Sequence, residues 1–159
     1  MVSLNGMKIK YESDKVWVWR EKRGNQTLKN PDWREAKGCV KKDGYRLVGI
    51  NNKTYKYHRV VYYLHNEGWD IRDSCRNNSI DHIDRDKLNN NIENLRVVTN
   101  QQNQWNTNSK GFAFHKATGK YEARIMVDGK RKHLGYFTTA EAARDSYLEA
   151  KMLLHQILP

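Results

Sequence analysis

Cysteine is nearly missing. Cys39 and Cys75 are the only two in 159 residues, and neither belongs to a Cys-x-x-Cys pair. That excludes a disulfide framework and makes a structural Zn²⁺ site unexpected; the two are read as reduced packing thiols. Proline is equally scarce, at Pro31 and Pro159, and no low-complexity tract or long internal repeat occurs. No apolar run is long enough to span a membrane, and the N-terminal stretch lacks an apolar signal core. Acidic residues are also short, 18 Asp and Glu against 29 Lys and Arg, for a net charge of +11. Such an excess calls for a polyanionic partner, nucleic acid before membrane. The most amphipathic stretch, at the C-terminus, has mixed charge, which weakens a membrane reading. A soluble intracellular (cytoplasmic) protein is expected.

Aromatics, by contrast, are plentiful, with five Trp and nine Tyr. Three of the tryptophans, Trp17, Trp19 and Trp33, lie in a basic, β-rich N-terminal segment over 1–43, where Lys22, Arg23, Lys41 and Lys42 are candidate phosphate contacts. Beyond it, Gly44–Ile50, Asn51-Asn52 and the run from Lys53 read as a hairpin whose second strand continues into a helix ended by Gly68. Val61, Leu64 and His65 would share one helix face. A loop over 72–78 leads to a short strand, "SIDHI". A polar turn over 84–91 follows, then the strand "NLRVV" with Leu95 and Val97 on one face, and a helix capped by Thr99. The order is strand, loop, strand, helix.

Asp81 and His82 sit side by side on the first of these strands. A carboxylate suits a hard divalent cation, and an imidazole can take a proton from water near neutral pH. Phosphodiester hydrolysis needs both. Asn103, on the helix, can add a neutral carbonyl oxygen. Asn89, Asn90 and Asn91 read as turn formers, Asp84 and Asp86 as loop residues. His58 and His65 read as structural, with His58 packing against the loop of the site.

The stretch "DHIDRDKLNNNIENLRVVTNQQNQWN", with "YHRVVYYLHN" upstream, resembles the HNH (ββα-metal) endonucleases of the phage and homing type. The resemblance implies that His82 is the general base, that Asp81 and Asn103 are metal ligands, and that Asn94 braces the loop orienting the base. An Asn at the last position, where many members carry His, favours one Mg²⁺ or Mn²⁺ per site over Zn²⁺.

Past a boundary at 107–111 come three short strands, joined at Thr118-Gly119 and Asp128-Gly129. A capping box from Thr138 to Glu141 then opens a helix burying Ala143, Tyr147, Ala150 and Leu154. Lys110 to Thr138 holds seven Lys or Arg and two acids, a local +5. "GKYEARI", "GKRKHLGYF" and "TAEAARDSYLEA" resemble the AP2 DNA-binding domain, a three-stranded antiparallel sheet on one helix that reads the major groove. Tyr121, Ala123, Ile125 and Val127 should face the helix, and Glu122, Arg124 and Met126 the DNA. Lys116, Lys120, Arg124, Lys130, Arg131, Lys132 and His133 are the expected DNA-binding residues, with Glu122 either pairing with Arg124 or meeting a cytosine amino group.

The fold expected is α+β: an N-terminal β-rich segment (1–43), a ββα nuclease core (44–108) and an AP2-like domain (109–159). The expected partner is double-stranded DNA, bound by a monomer or a homodimer. The expected function is a metal-dependent DNA endonuclease of homing type with some sequence preference. Two alternatives stand beside it: a non-catalytic DNA-binding regulator derived from such a nuclease, or a restriction or defence nuclease.

Overall fold

The computed structural model describes residues 1–23, 25–75 and 77–155, with the Arg23 side chain, one of the expected phosphate contacts, outside the described set. The chain forms two compact units, Met1–Val97 and Val98–Pro159. Among the described residues, no helix is long and apolar enough to cross a membrane.

The first unit opens with a four-stranded antiparallel meander, β1 (Val2–Leu4), β2 (Met7–Glu12), β3 (Lys15–Arg23) and β4 (Gln26–Glu35), in that order. Its first two turns, Asn5-Gly6 and Ser13-Asp14, have positive φ at both positions. That is the type I′ geometry matching the twist of paired strands. Pro31 is accommodated because β4 is an edge strand. A second sheet holds β5 (Cys39–Val40), β6 (Arg46–Ile50) and β7 (Lys53–Lys56). Asn51 and Asn52, at φ 44° and 62°, make the tight turn expected of them. β7 runs directly into α1 (Tyr57–His65).

Tyr57, His58, Val60 and Val61 form the buried face of α1. His65 is exposed, and its Nδ1 lies 2.8 Å from the Val61 carbonyl. The helix stops before Gly68 because both the backbone and the side-chain amide of Asn66 turn back to the Tyr62 carbonyl. One core lies under the helix. Ile9, Val16 and Val18 from the meander meet Val48, Ile50, Val60 and Val61, all at 0 to 2% exposure. Burial of this completeness stabilises by roughly 1.5–3 kcal/mol per side chain. The Tyr57 hydroxyl accepts from the Val16 amide at 2.9 Å. The two turns also clasp each other: Asn5 Nδ2 donates to Asn51 O, and Asn51 Nδ2 to Asn5 O, each at 2.7 Å. Packing thus runs across 43/44 rather than breaking there.

Arg59 ties the loop after α1 to the helix. Its guanidinium donates to the carbonyls of Ile71, Asp73 and Asn78 at 2.7–3.0 Å and lies over Trp69. This loop covers 72–78 as expected, with Arg76 outside the described residues. It delivers the chain to β8 (Ser79–His82), which pairs with β9 (Leu95–Val98); a 3₁₀ turn (Ile92–Asn94) precedes β9. On β9 Leu95 is buried and Val97 packs against the same core, as expected of one face, while Val98 is buried as well.

The second unit opens with α2 (Asn100–Trp105), capped by Thr99 in a reciprocal box with Gln102. Trp105 stacks on His155 at 4.6 Å, and Gln101 donates to Asp128, so α2 packs within this unit. Compactness therefore divides the chain at 97/98, ahead of the expected 108/109. An antiparallel sheet of β10 (Phe112–His115), β11 (Lys120–Val127) and β12 (Lys130–Phe137) carries α3 (Ala140–Leu154) on one face. Ala143, Tyr147 and Ala150 are buried, and Leu154 packs beside them. The α3 cap is Thr139, whose hydroxyl accepts from the Ala142 amide. The cap is thus one residue later than expected from Thr138 and, with Ala142 three residues on, is not a reciprocal box; Glu141 sits in the first turn, where the helix dipole favours an acid.

Candidate functional site

β8 ends in two buried polar residues, Asp81 at 6% and His82 at 4% exposure. Side chains of neighbouring strand residues point to opposite faces, and these two meet different partners. Asp81 Oδ2 accepts from Arg96 Nε at 3.1 Å and from a terminal guanidinium nitrogen at 2.9 Å. The His82 ring packs at right angles to His58, with centroids 4.8 Å apart. Tyr45 closes the group, 5.2 Å from His58 and 6.1 Å from His82.

His58 is a structural histidine, and its contact is with His82 itself. Burial, then the nearby His82, push its pKa down to about 3. It stays neutral at any ordinary working pH. Tyr45 titrates above its usual range through burial and the Asp43 and Asp81 carboxylates. Lys56 and Lys87 bring their ammonium groups over its ring at 4.2 and 4.7 Å.

The loop from Asp84 is organised by side-chain bonds to backbone, the behaviour for which Asp and Asn are chosen in turns. Asp84 Oδ1 accepts from the Asp86 amide, and Asp86 Oδ1 from the Leu88 amide. Asn94 spans the loop. Its Oδ1 accepts from the Asp84 amide at 3.0 Å, and its Nδ2 donates to Asp84 Oδ1 at 2.9 Å and to the Asn89 carbonyl at 2.8 Å. Its own carbonyl accepts from the Ile83 amide, one residue past His82. Bonds from Asn89 and Asn94 hold the Asp84 carboxyl below the usual range. Asn89 and Asn91 serve the loop, Asn91 capping the 3₁₀ turn. Asn90 does not fit the turn-former expectation: it is 9% exposed, and its Oδ1 lies 3.2 Å from His82 Nε2.

Asp81, His82 and Asn94 therefore gather around one loop. Asn103 stands on α2, in the second unit. Among the described residues, no cluster of three or more His, Cys, Asp or Glu is placed to hold a metal. Asp81 supplies a hard oxygen donor, the chemistry that suits Mg²⁺ or Mn²⁺, ions that keep several waters and need few carboxylates. Arg96, Asn90 (read only as a turn former) and Tyr45 were not assigned to the site from sequence. Their partners lie 15, 8 and 37 residues away, beyond any local period; only the ladder opposite "SIDHI" could have pointed to Arg96.

On the second unit, Ala123 and Ile125 lie buried beneath α3. Arg124 pairs with His133 and Met126 with Arg131 across the ladder, which puts Arg124, Arg131 and His133 on the open face as expected. Lys120, in phase with Glu122 and Arg124, shares it. Lys132 pairs with the buried Ile125 and Lys130 with Val127, so both belong to the helix-side phase, although both are exposed. Lys116 lies in the β10–β11 turn. Glu122 meets His133 at 3.2 Å and Arg124 at 3.8 Å. A register shift at Ala123/Arg124 leaves Leu134 unpaired, and the bulge brings Tyr136 onto the open face against His133 and His115. Tyr136 escaped the alternation pattern for that reason; Gly135, at φ 141°, was its one sequence signal.

Over 110 residues the chain is 34% identical to an uncharacterized HNH endonuclease of Acanthamoeba polyphaga mimivirus, a match covering 67% of this chain and 56% of that one. The chain thus spans little more than half the length of this relative. No solved structure matches. The family described as HNH endonuclease matches residues 55–105. The segment holding Asp81, His82, Asn94 and Asn103 is accordingly the one similar to HNH endonucleases.

Proposed function

We propose that this chain is a divalent-metal-dependent endonuclease that hydrolyses phosphodiester bonds in double-stranded DNA, with His82 as general base. One observation carries the reading most directly. A carboxylate and an imidazole, both buried and both hydrogen-bonded, end the strand of the segment that matches HNH endonucleases. Burying polar groups is costly unless they are hydrogen-bonded, and such clusters gather at functional sites.

Asp81 and Asn103 would hold one Mg²⁺ or Mn²⁺. Bound there, the ion supplies charge stabilisation at the phosphate and the departing oxygen. His82 takes the proton from the attacking water. Asn94 keeps the 84–89 loop closed and so keeps His82 at the strand end. Lys56 and Lys87, around Tyr45, put two positive charges beside the histidine pair, where a DNA backbone would approach.

The open face of the C-terminal sheet would bind DNA in the manner of AP2 domains and supply sequence preference. Arg124 and Arg131 suit phosphates or guanine edges, and Tyr136 offers an aromatic surface between them. The net charge of +11 fits a nucleic-acid partner. We assign the protein to the homing type rather than to restriction or defence, because the Asp-His-Asn-Asn set goes with two solitary exposed cysteines and no cysteine pairs.

A second reading is a DNA-binding protein that no longer cuts. The observation favouring it is Arg96, whose cation already compensates the Asp81 carboxylate. Incubation of supercoiled plasmid with the protein and Mg²⁺ or Mn²⁺, against EDTA and His82→Ala controls, separates the two. Nicked or linear product is expected from wild type alone and only with metal. DNA binding without cleavage on any substrate selects the second reading. Cleavage by His82→Ala at the wild-type rate removes His82 as the base.

A further inference from the structure

We propose that Asn90 is a positioning residue that locks the His82 imidazole in the tautomer with its hydrogen on Nε2, leaving the ring's lone pair on Nδ1. The assignment rests on the reading of His82 as the base. It follows from a chain of donors and acceptors that admits one polarity. The Leu88 carbonyl only accepts, so the Asn90 atom 2.9 Å from it is the amide nitrogen. The Asn90 oxygen consequently faces His82, 3.2 Å from Nε2. That oxygen also only accepts, so Nε2 carries the hydrogen and donates. Flipping the amide would set oxygen against oxygen at Leu88.

Two further features make the lock firm. Asn90 and His82 are buried, at 9% and 4% exposure, so water competes poorly for the bond. The ring is also confined by His58 at 87° and by Tyr45 at 43°, which restricts its rotation. The turn does not itself demand asparagine at this position. Among the described loop residues, the non-glycine residue with positive φ is Arg85, not Asn90. Half of the Asn90 amide serves the loop through Leu88; the other half is spent on His82.

The proton taken from water would then reside on Nδ1, with the imidazolium's Nε2–H already paired to an oxygen that stabilises the developing charge. Removing that oxygen costs chemistry rather than DNA affinity.

The test is ¹⁵N–¹H correlation of the His82 ring in the full chain at neutral pH, combined with single-turnover and steady-state cleavage. Wild type is expected to show the Nε2–H tautomer. Asn90→Leu, similar in size and without an acceptor, should give mixed tautomers and lower kcat at least about tenfold, with KM for DNA nearly unchanged. An Nδ1–H tautomer in wild type overturns the proposal, and needs no variant to fold. So does an unchanged tautomer in Asn90→Leu. The ring signal does not depend on cleavage. A wild type that cuts nothing, yet shows the Nε2–H tautomer and loses it in Asn90→Leu, would leave Asn90 as positioned and remove only the nuclease reading.

Discussion

Arg96 places two of its nitrogens on a single oxygen of Asp81, at 3.1 and 2.9 Å, with the Asp81 side chain only 7% exposed. Two donors on one oxygen tie Asp81 Oδ2 to the neighbouring strand β9. Truncating one partner of a buried pair is more costly than the pair is worth, because the other charge is stranded. Arg96→Ala should therefore destabilise the first unit by about 3 kcal/mol. Asp81→Asn, which keeps an acceptor for Arg96, should cost less. Urea unfolding of both variants decides this; equal losses would show that the ion pair does not organise the site.

The pH dependence of stability should carry the mark of His58. Its folded pKa of about 3 lies below the ordinary value of 6.5. Between those values the unfolded chain binds the extra proton, so the stabilisation is whole above about pH 6.5 and is lost as pH falls toward 3. At pH 4.5 the loss from this group should be about 2–3 kcal/mol, some 1.4 kcal/mol for each pH unit below 6.5. Comparing urea midpoints of wild type and His58→Phe at pH 7 and 4.5 isolates it. If the two proteins lose the same amount, His58 is not the buried neutral group described.

Asn94→Ala removes three bonds from the 84–89 loop at once. The three bonds are exposed, so only a modest destabilisation is expected. The Asp84 carboxyl should titrate closer to its ordinary range in this variant, because its three hydrogen bonds would fall to two, from Asn89 and the Asp86 amide. An NMR titration of Asp84 reads that directly. An unmoved Asp84 would mean that Asn94 does not brace the loop.

The two phases of the C-terminal sheet should separate in DNA binding. Arg124→Ala and Arg131→Ala, on the open face, should each weaken duplex affinity and flatten the salt dependence by about one ion. Lys132→Ala, in the phase of the buried Ile125, should change affinity little. Fluorescence anisotropy at several salt concentrations tests this. Lys132 equal in effect to the two arginines would put the DNA elsewhere.

What could be read from the sequence was local. The Asn51-Asn52 turn, the Thr99 cap and the three C-terminal strands each rest on residues within a few positions, where propensity and alternation speak. The end of α1 and the α3 cap were off by one or a few residues, because neighbouring Thr or Asn residues compete on nearly equal terms. The side chains around His82 were not legible. Asp81–Arg96 and His82–Asn90 are made by a ladder and a loop that bring distant residues together. The bulge at Leu134 reversed the phase of Tyr136, and alternation cannot register a skipped residue.

The clasp between Asn5 and Asn51 bears on the portability of the site. In a fragment cut at Gly44, Val48, Ile50, Val60 and Val61 would lose the wall formed by Ile9, Val16 and Val18. The residues around His82 then could not be lifted out as a short cassette and grafted elsewhere. What would have to travel with them is the whole of Met1–Val97, together with α2, which carries the proposed ligand Asn103.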